Sequence, residues 1–130
     1  MGTNSQGEKR REQLQQIASE VVAPRADEVD RQARFPIEAI AALREARLLG
    51  AAVPVELGGL GVGLTELAEM CRILGASCAS SAMVFAMHQI QVACIVHHGL
   101  TSAFLTVATV LPSRSISILS RIVSFFSWIL

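Results

Sequence analysis

The stretch from Phe35 to Gly63, FPIEAIAALREARLLGAAVPVELGGLGVG, constrains the fold more than any other part of the chain. Proline suits the first turn of a helix, where its missing N–H is no loss, so Phe35-Pro36 opens one. Ile37, Ile40, Ala41, Leu43 and Leu48 recur as one apolar side, and Gly50 is the natural stop. Ala51 to Leu57 reads as short and extended, with Pro54 arguing against a central strand. Gly58, Gly59, Gly61 and Gly63 then break regular structure. A helix, a sharp stop, an extended Val-Pro step and a glycine-rich turn therefore follow in that order.

The flanking segments carry helical periodicity. From Glu8 to about Arg31, Leu14, Ile17 and Val21 fall on one stripe, and Pro24 is expected to kink the helix near Val22–Ala23. A third helix is expected from Leu64 to Leu74, with Leu64, Leu67, Ala68, Cys71 and Leu74 at three-four spacing and Gly75 closing it. Ser77, Ser80 and Ser81 offer caps for a fourth, about Ser80 to His97. There Met83, Val84, Met87, Ile90 and Cys94 make one face, while Ala82, Ala86, Ala93 and Val96 make the other side apolar too. A helix apolar all round is buried or crosses a membrane. Ser80, Ser81, His88, Gln89 and Gln91 are costly in lipid, which favours a buried bundle helix.

Charge is distributed unevenly. All 11 acidic residues lie between Glu8 and Glu69, and beyond Met70 only Arg72, Arg114 and Arg121 are basic. A formal net charge of zero, with few aromatic residues, argues against a nucleic-acid partner. Cys71, Cys78 and Cys94 form no CxxC pair and sit in apolar stretches, which points to buried thiols in a reducing compartment. The leading MGTNSQGEKRREQLQQ has no apolar signal core, so a cytoplasmic location is expected. Leu100 to Leu130 changes character, mixing helix and strand cues in an apolar run split at Pro112-Ser113.

Four ordered pieces resemble the amino-terminal helical domain of the acyl-CoA dehydrogenases. They are Val22-Ala23-Pro24 with Asp27 and Asp30; Phe35-Pro36 with Leu43 and Leu48-Leu49-Gly50; Val53-Pro54-Val55-Glu56 leading into Gly58-Gly59-Leu60-Gly61; and Glu66–Leu74 followed by the Ser80 helix to His98-Gly99. The expected fold is thus all-α: a helical bundle over residues 1–99 and an irregular apolar tail over 100–130. The resemblance implies FAD as cofactor, an acyl-CoA substrate, a homo-oligomer, and a reaction in which a glutamate removes the α proton while flavin accepts a hydride from the β carbon. It also implies that the flavin and the base belong to later domains. The pattern is lost after Gly99, so no position receives the catalytic glutamate or the flavin contacts. These 130 residues are expected to be inactive alone, with a shifted frame, an early stop or a mispredicted gene end as the expected origin of the tail. The alternative from another class is a non-catalytic helical protein that uses the tail for a partner or a bilayer.

Three features invite sharper chemistry. The glycine turn lacks a P-loop lysine and a dinucleotide-binding strand-turn-helix frame, so its glycines are expected to serve bending. His88, His97 and His98 lack nearby acids to complete a metal site, and helix-end capping is their expected use. Ala86, Met87 and Ile90, with Met83 beside them, stand where the resemblance implies the distal wall of an acyl pocket, the competing role being core packing.

Overall fold

The computed structural model describes residues 2–97, and all of them that form regular structure are helical. The expected tail at 100–130 lies outside the described residues.

The first helical run is continuous but changes its winding. Helix α1 (Gly2–Ile17) passes into a π-type turn (Ala18–Val22), a 3-10 turn (Ala23–Arg25) and helix α2 (Ala26–Gln32). The cause is Pro24, which has no N–H to give the preceding turn. The chain compensates twice: Ala23 N–H reaches back to the Ala18 carbonyl, and Arg25 Nη1 donates to the Val21 carbonyl at 3.1 Å. Leu14, Ala18 and Val22 face the core, whereas Ile17 and Val21, expected there, are only partly buried.

A left-handed residue, Ala33 (φ 49°), ends α2, and Arg34 forks across the corner to Glu38 in helix α3 (Ile37–Glu45) at 2.9 and 3.1 Å. Helix α3 is shorter than its periodicity suggests. It ends at Glu45, and Arg47 (φ 60°) reverses the chain before a separate 3-10 turn at Leu48–Gly50. Ala39 and Leu43 are the buried pair, while Ile37 points to solvent.

The segment expected to be extended is mostly a compact double turn. Pro54 is extended (ψ 149°), and Val55–Leu57 forms another 3-10 turn. The loop closes on itself through its own backbone. Gly50 O accepts from Val53 N and Leu60 N, Val53 O from Gly61 N at 2.8 Å, and Ala51 O from Val62 N at 2.8 Å.

Helix α4 (Leu64–Ser77) runs through Gly75, which does not end it, and a single extended residue, Cys78, joins it to helix α5 (Ala79–Cys94). A helical turn continues α5 to His97. The serines expected as caps make no capping bond; Cys78 occupies that position. Helices α4 and α5 form the most extensive pairing in the fold. Phe85, Leu14, Leu43, Leu48, Leu49 and Leu74 fill the centre and are essentially inaccessible. Each such side chain contributes about 1.5–3 kcal/mol through burial. Arg10 clamps α1 onto α4 through a two-pronged pair with Glu66 at 2.8 and 3.1 Å.

Candidate functional site

Helix α5 carries the residues picked from the sequence, and the structure shows which face is which. Ser81, Phe85, Gln89 and Val92 turn inward, at the spacing of one helical stripe. Met83, Met87 and Ile90 turn outward and are 63%, 50% and 56% exposed. One side of a helix expected to be buried is therefore open. Core packing does not explain Met83, Met87 or Ile90. Ala86 lies half-buried beside them. The reason is that α5 has no charged side chain to mark a solvent side, so periodicity alone could not orient it.

Polarity orients it instead. Gln89 is buried, and both ends of its amide are used. Its Nε2 donates to the Leu48 and Leu49 carbonyls at 3.1 Å each, and its Oε1 accepts from Ala52 N–H at 3.2 Å. His88 adds a second contact, Nε2 to the Leu49 carbonyl at 3.0 Å, which requires the proton on Nε2 because a carbonyl only accepts. Burial lowers the pKa of His88, and this outweighs the opposing pull of the Leu49 carbonyl. Sequence reasoning counted Gln89 only as a residue unsuited to lipid. The signal it missed was an amide in register with Phe85, one turn away.

Helix Ala79–His97 is long and apolar enough to cross a membrane by length and composition, with a mean hydropathy of 1.5. A core helix of a water-soluble protein passes the same test. The Phe85 and Gln89 contacts show that one side of α5 serves the core.

The glycine turn is a geometric device. Gly58 (φ 84°) and Gly61 (φ 60°) hold left-handed conformations, and a Cβ on Gly59 would lie 2.2 Å from the Val53 carbonyl oxygen. Its amides are committed internally: Gly58 N to Val55 O, Gly59 N to Pro54 O, Leu60 N to Gly50 O and Gly61 N to Val53 O. A phosphate cradle needs free amides converging on one point, so the turn does not fit the pyrophosphate of a flavin dinucleotide.

Other polar groups are spent structurally. Glu66 holds Arg10, and Glu69 holds Arg72 at 2.7 Å with Arg11 at 3.5 Å. Arg72 and Arg11 keep the Glu69 carboxyl below its usual range, and Arg34 does the same for Glu38. Among the described residues no three His, Cys, Asp or Glu side chains gather as a metal site. The three thiols are free: Cys78 is buried, Cys71 is half-buried with its pKa raised by desolvation, and Cys94, expected to be buried, is exposed. A shallow depression beside Gln15, Ser19, Arg72 and Ser77 gathers no convergent acid, base or nucleophile.

Against this geometry, the family model for the acyl-CoA dehydrogenase N-terminal domain matches residues 4–102. The chain belongs to the acyl-CoA dehydrogenase family. The all-α fold agrees with that membership. Among its relatives, cyclohex-1-ene-1-carbonyl-CoA dehydrogenase of Syntrophus aciditrophicus (strain SB) is 37% identical over 73 residues, covering 56% of this chain and 18% of that protein. The 3-sulfinopropanoyl-CoA desulfinase of Paraburkholderia xenovorans (strain LB400) is 37% identical over 76 residues, 55% of this chain and 20% of the desulfinase. Acryloyl-CoA reductase (NADH) of Anaerotignum propionicum is 33% identical over 84 residues, 65% of this chain and 21% of the reductase. The chain thus matches about a fifth of the length of these relatives. No solved structure matches it.

Proposed function

We propose that this domain serves chemistry on an acyl-CoA thioester as the helical wall of the acyl site, with Ala86, Met87 and Ile90 of α5 turned toward the acyl chain. The observation that carries the reading is the open apolar stripe on α5, in a domain whose family membership spans the same residues. An aliphatic tail needs an apolar surface that the domain's own core leaves uncovered, and Met87 adapts its shape easily to varied chains.

The substrate class is better supported than the bond changed. The three relatives are named for a dehydrogenation, a desulfination and a reduction, yet each name contains a CoA thioester. All three resemble this chain at similar identity, so the shared domain follows the thioester and does not separate the reactions. FAD-dependent α,β-desaturation is the reading proposed within that class.

We infer that the two groups desaturation requires, a base and a flavin site, come from outside this domain. A base must come within hydrogen-bond reach of the α proton. Glu66, Glu69 and Glu38 are engaged with arginines, and the glycine turn offers no free amides to a flavin. We therefore propose that residues 1–130 alone neither retain flavin nor desaturate. The test is a purified sample of this chain, assayed by flavin absorbance and by dye reduction with a panel of acyl-CoA thioesters. A colourless, inactive preparation is expected; stoichiometric flavin that bleaches on adding a thioester refutes the reading.

A further inference from the structure

The outward side of α5 has a register as well as an apolar character. Met83, Met87, Ile90 and Cys94 follow one another at steps of four, three and four, and all four are exposed. Alternating steps of four and three average 3.5 residues, the spacing of a coiled-coil seam with apolar a and d positions. Met83 and Ile90 take the d positions, and Met87 and Cys94 the a positions. The inward residues Ser81, Phe85, Gln89 and Val92 all fall at b, c or f, on the opposite side. Helix α5 thus buries one side in its own domain and carries a seam on the other. The e and g positions beside a seam ordinarily hold charges that select the partner. Here they are Val84, Gln91, Ala86 and Ala93, and the sequence holds no Asp, Glu, Lys or Arg between Arg72 and Arg114. No flanking charge therefore repels an identical helix.

We propose that this seam pairs with the same seam of a second copy of the chain, the two α5 helices running antiparallel about a two-fold axis. Steps of four, three and four read the same in both directions, with their centre between His88 and Gln89. Reversing the helix therefore lays the pattern on itself: Met83 meets Cys94 of the partner subunit, Met87 meets Ile90 of the partner subunit, and each contact is returned. That reciprocity is what an isologous two-fold contact demands. Packing favours the antiparallel direction, because every layer then contains a methionine, whereas parallel helices would leave a thin layer of two Cys94 side chains. The helix dipole favours it too. Helix α5 has no acid in its first turn and no base in its last, so its ends are uncompensated, and antiparallel neighbours set opposite ends side by side. A bilayer suits the seam less well, since Gln91, exposed beside Ile90, would be carried into lipid. The seam includes Met87 and Ile90, so pairing covers the surface proposed above to meet an acyl chain. The pairing rests on the register of α5 and not on that reading, and its test reads association rather than flavin or turnover.

The test uses the full 130-residue chain. Sedimentation velocity across a concentration series should show a monomer–dimer equilibrium. Ile90→Glu, at an exposed position that leaves the core untouched, should raise the dimer Kd about tenfold or more while the circular dichroism of the helices is retained. Direction is read by air oxidation. In Met83→Cys the new thiol should link to the partner's Cys94, and adding Cys94→Ser should abolish the linked dimer. The parent should not link through Cys94, because antiparallel pairing sets the two copies of that residue about 16 Å apart along the axis, far beyond disulfide reach. A parent dimer joined through Cys94 would show parallel helices and overturn the proposal. A dimer that survives Ile90→Glu would place the contact elsewhere and overturn it equally. So would a chain that stays monomeric at every concentration, or one that is monomeric and floats with added phosphatidylcholine vesicles.

Discussion

Gln89, in the middle of α5, holds Leu49 in the turn after α3: the side-chain Nε2 donates to the Leu49 carbonyl at 3.1 Å from a residue 40 positions away. The same amide takes the Leu48 carbonyl, which also accepts from Ala51 N–H, and supplies the partner of the Ala52 N–H. Replacement by leucine keeps the volume and removes every bond. The Leu48 and Leu49 carbonyls keep Ala51 N–H and His88 Nε2, so the Ala52 N–H is the group that loses its partner, and Gln89→Leu should lose about 1–3 kcal/mol. Urea denaturation followed by circular dichroism measures it. Gln89→Glu should lose more at neutral pH, since it loses both donors and buries a charge, and should recover partly when acidified.

His88 predicts the direction of the pH dependence. Its folded pKa lies below the ordinary value of 6.5, with desolvation the leading cause. A histidine of depressed pKa binds more protons when unfolded, so it favours the folded state fully above pH 6.5 and loses that contribution as pH falls through its folded value. Glu38 and Glu69, depressed by their arginines, act lower: their contributions hold above 4.5 and fade below it. Stability should therefore decline in two stages on acidification. His88→Gln should remove the upper stage and leave the lower one, as read from melting temperatures across the two windows.

These residues mark how far the sequence could be read. The helices, the break at Pro24 and the reversal through Gly58–Gly61 were legible because each follows from a local rule: periodicity, a missing N–H, a positive φ. The orientation of α5 was not, because a helix apolar on every side gives no moment to follow, and its inward side is fixed by Gln89 meeting carbonyls some 40 residues earlier. The end of α3 was misplaced for a related reason. Leu48 continues the apolar spacing, but it reaches the core through a separate turn after Arg47 reverses the chain. Ala86, Met87 and Ile90 stand out only through the family resemblance; Met87 and Ile90 lie on the open side of α5 with Ala86 half-buried beside them.

Three glycines close together should respond very differently to alanine. At Gly59 the new Cβ would meet the Val53 backbone at 2.2 Å, which no rotamer relieves, so Gly59→Ala should cost upwards of about 3 kcal/mol. At Gly58 there is open space but φ is 84°, and Gly58→Ala should cost about 1–2 kcal/mol from backbone strain alone. At Gly63 neither obstacle exists, but the residue is the N-cap of α4, where glycine is preferred to alanine, so Gly63→Ala should cost about 0.5–1 kcal/mol. Denaturation midpoints should rank the three in that order. A tolerant Gly59 would mean that the Gly50–Val62 turn is not closed in solution as described.

The end of α2 offers a change in the stabilising direction. Ala33 sits in the left-handed region at φ 49°, with its N–H on the Asp30 carbonyl and the N–H of Arg34 on the Val29 carbonyl, both at 3.1 Å. That pair of bonds is the Schellman arrangement, in which the left-handed position is usually glycine because a Cβ is crowded there. Alanine bears that strain, and its methyl is exposed, so it returns no burial. Ala33→Gly should therefore stabilise the domain by about 0.5–1 kcal/mol, the relief exceeding the extra chain entropy that glycine brings to the unfolded state. Ala68→Gly, exposed inside α4 at ordinary helical geometry, supplies the control: it should destabilise by about 1 kcal/mol. Opposite signs from one substitution type would locate the effect in the backbone conformation at Ala33. Equal signs would show that α2 does not end there in solution.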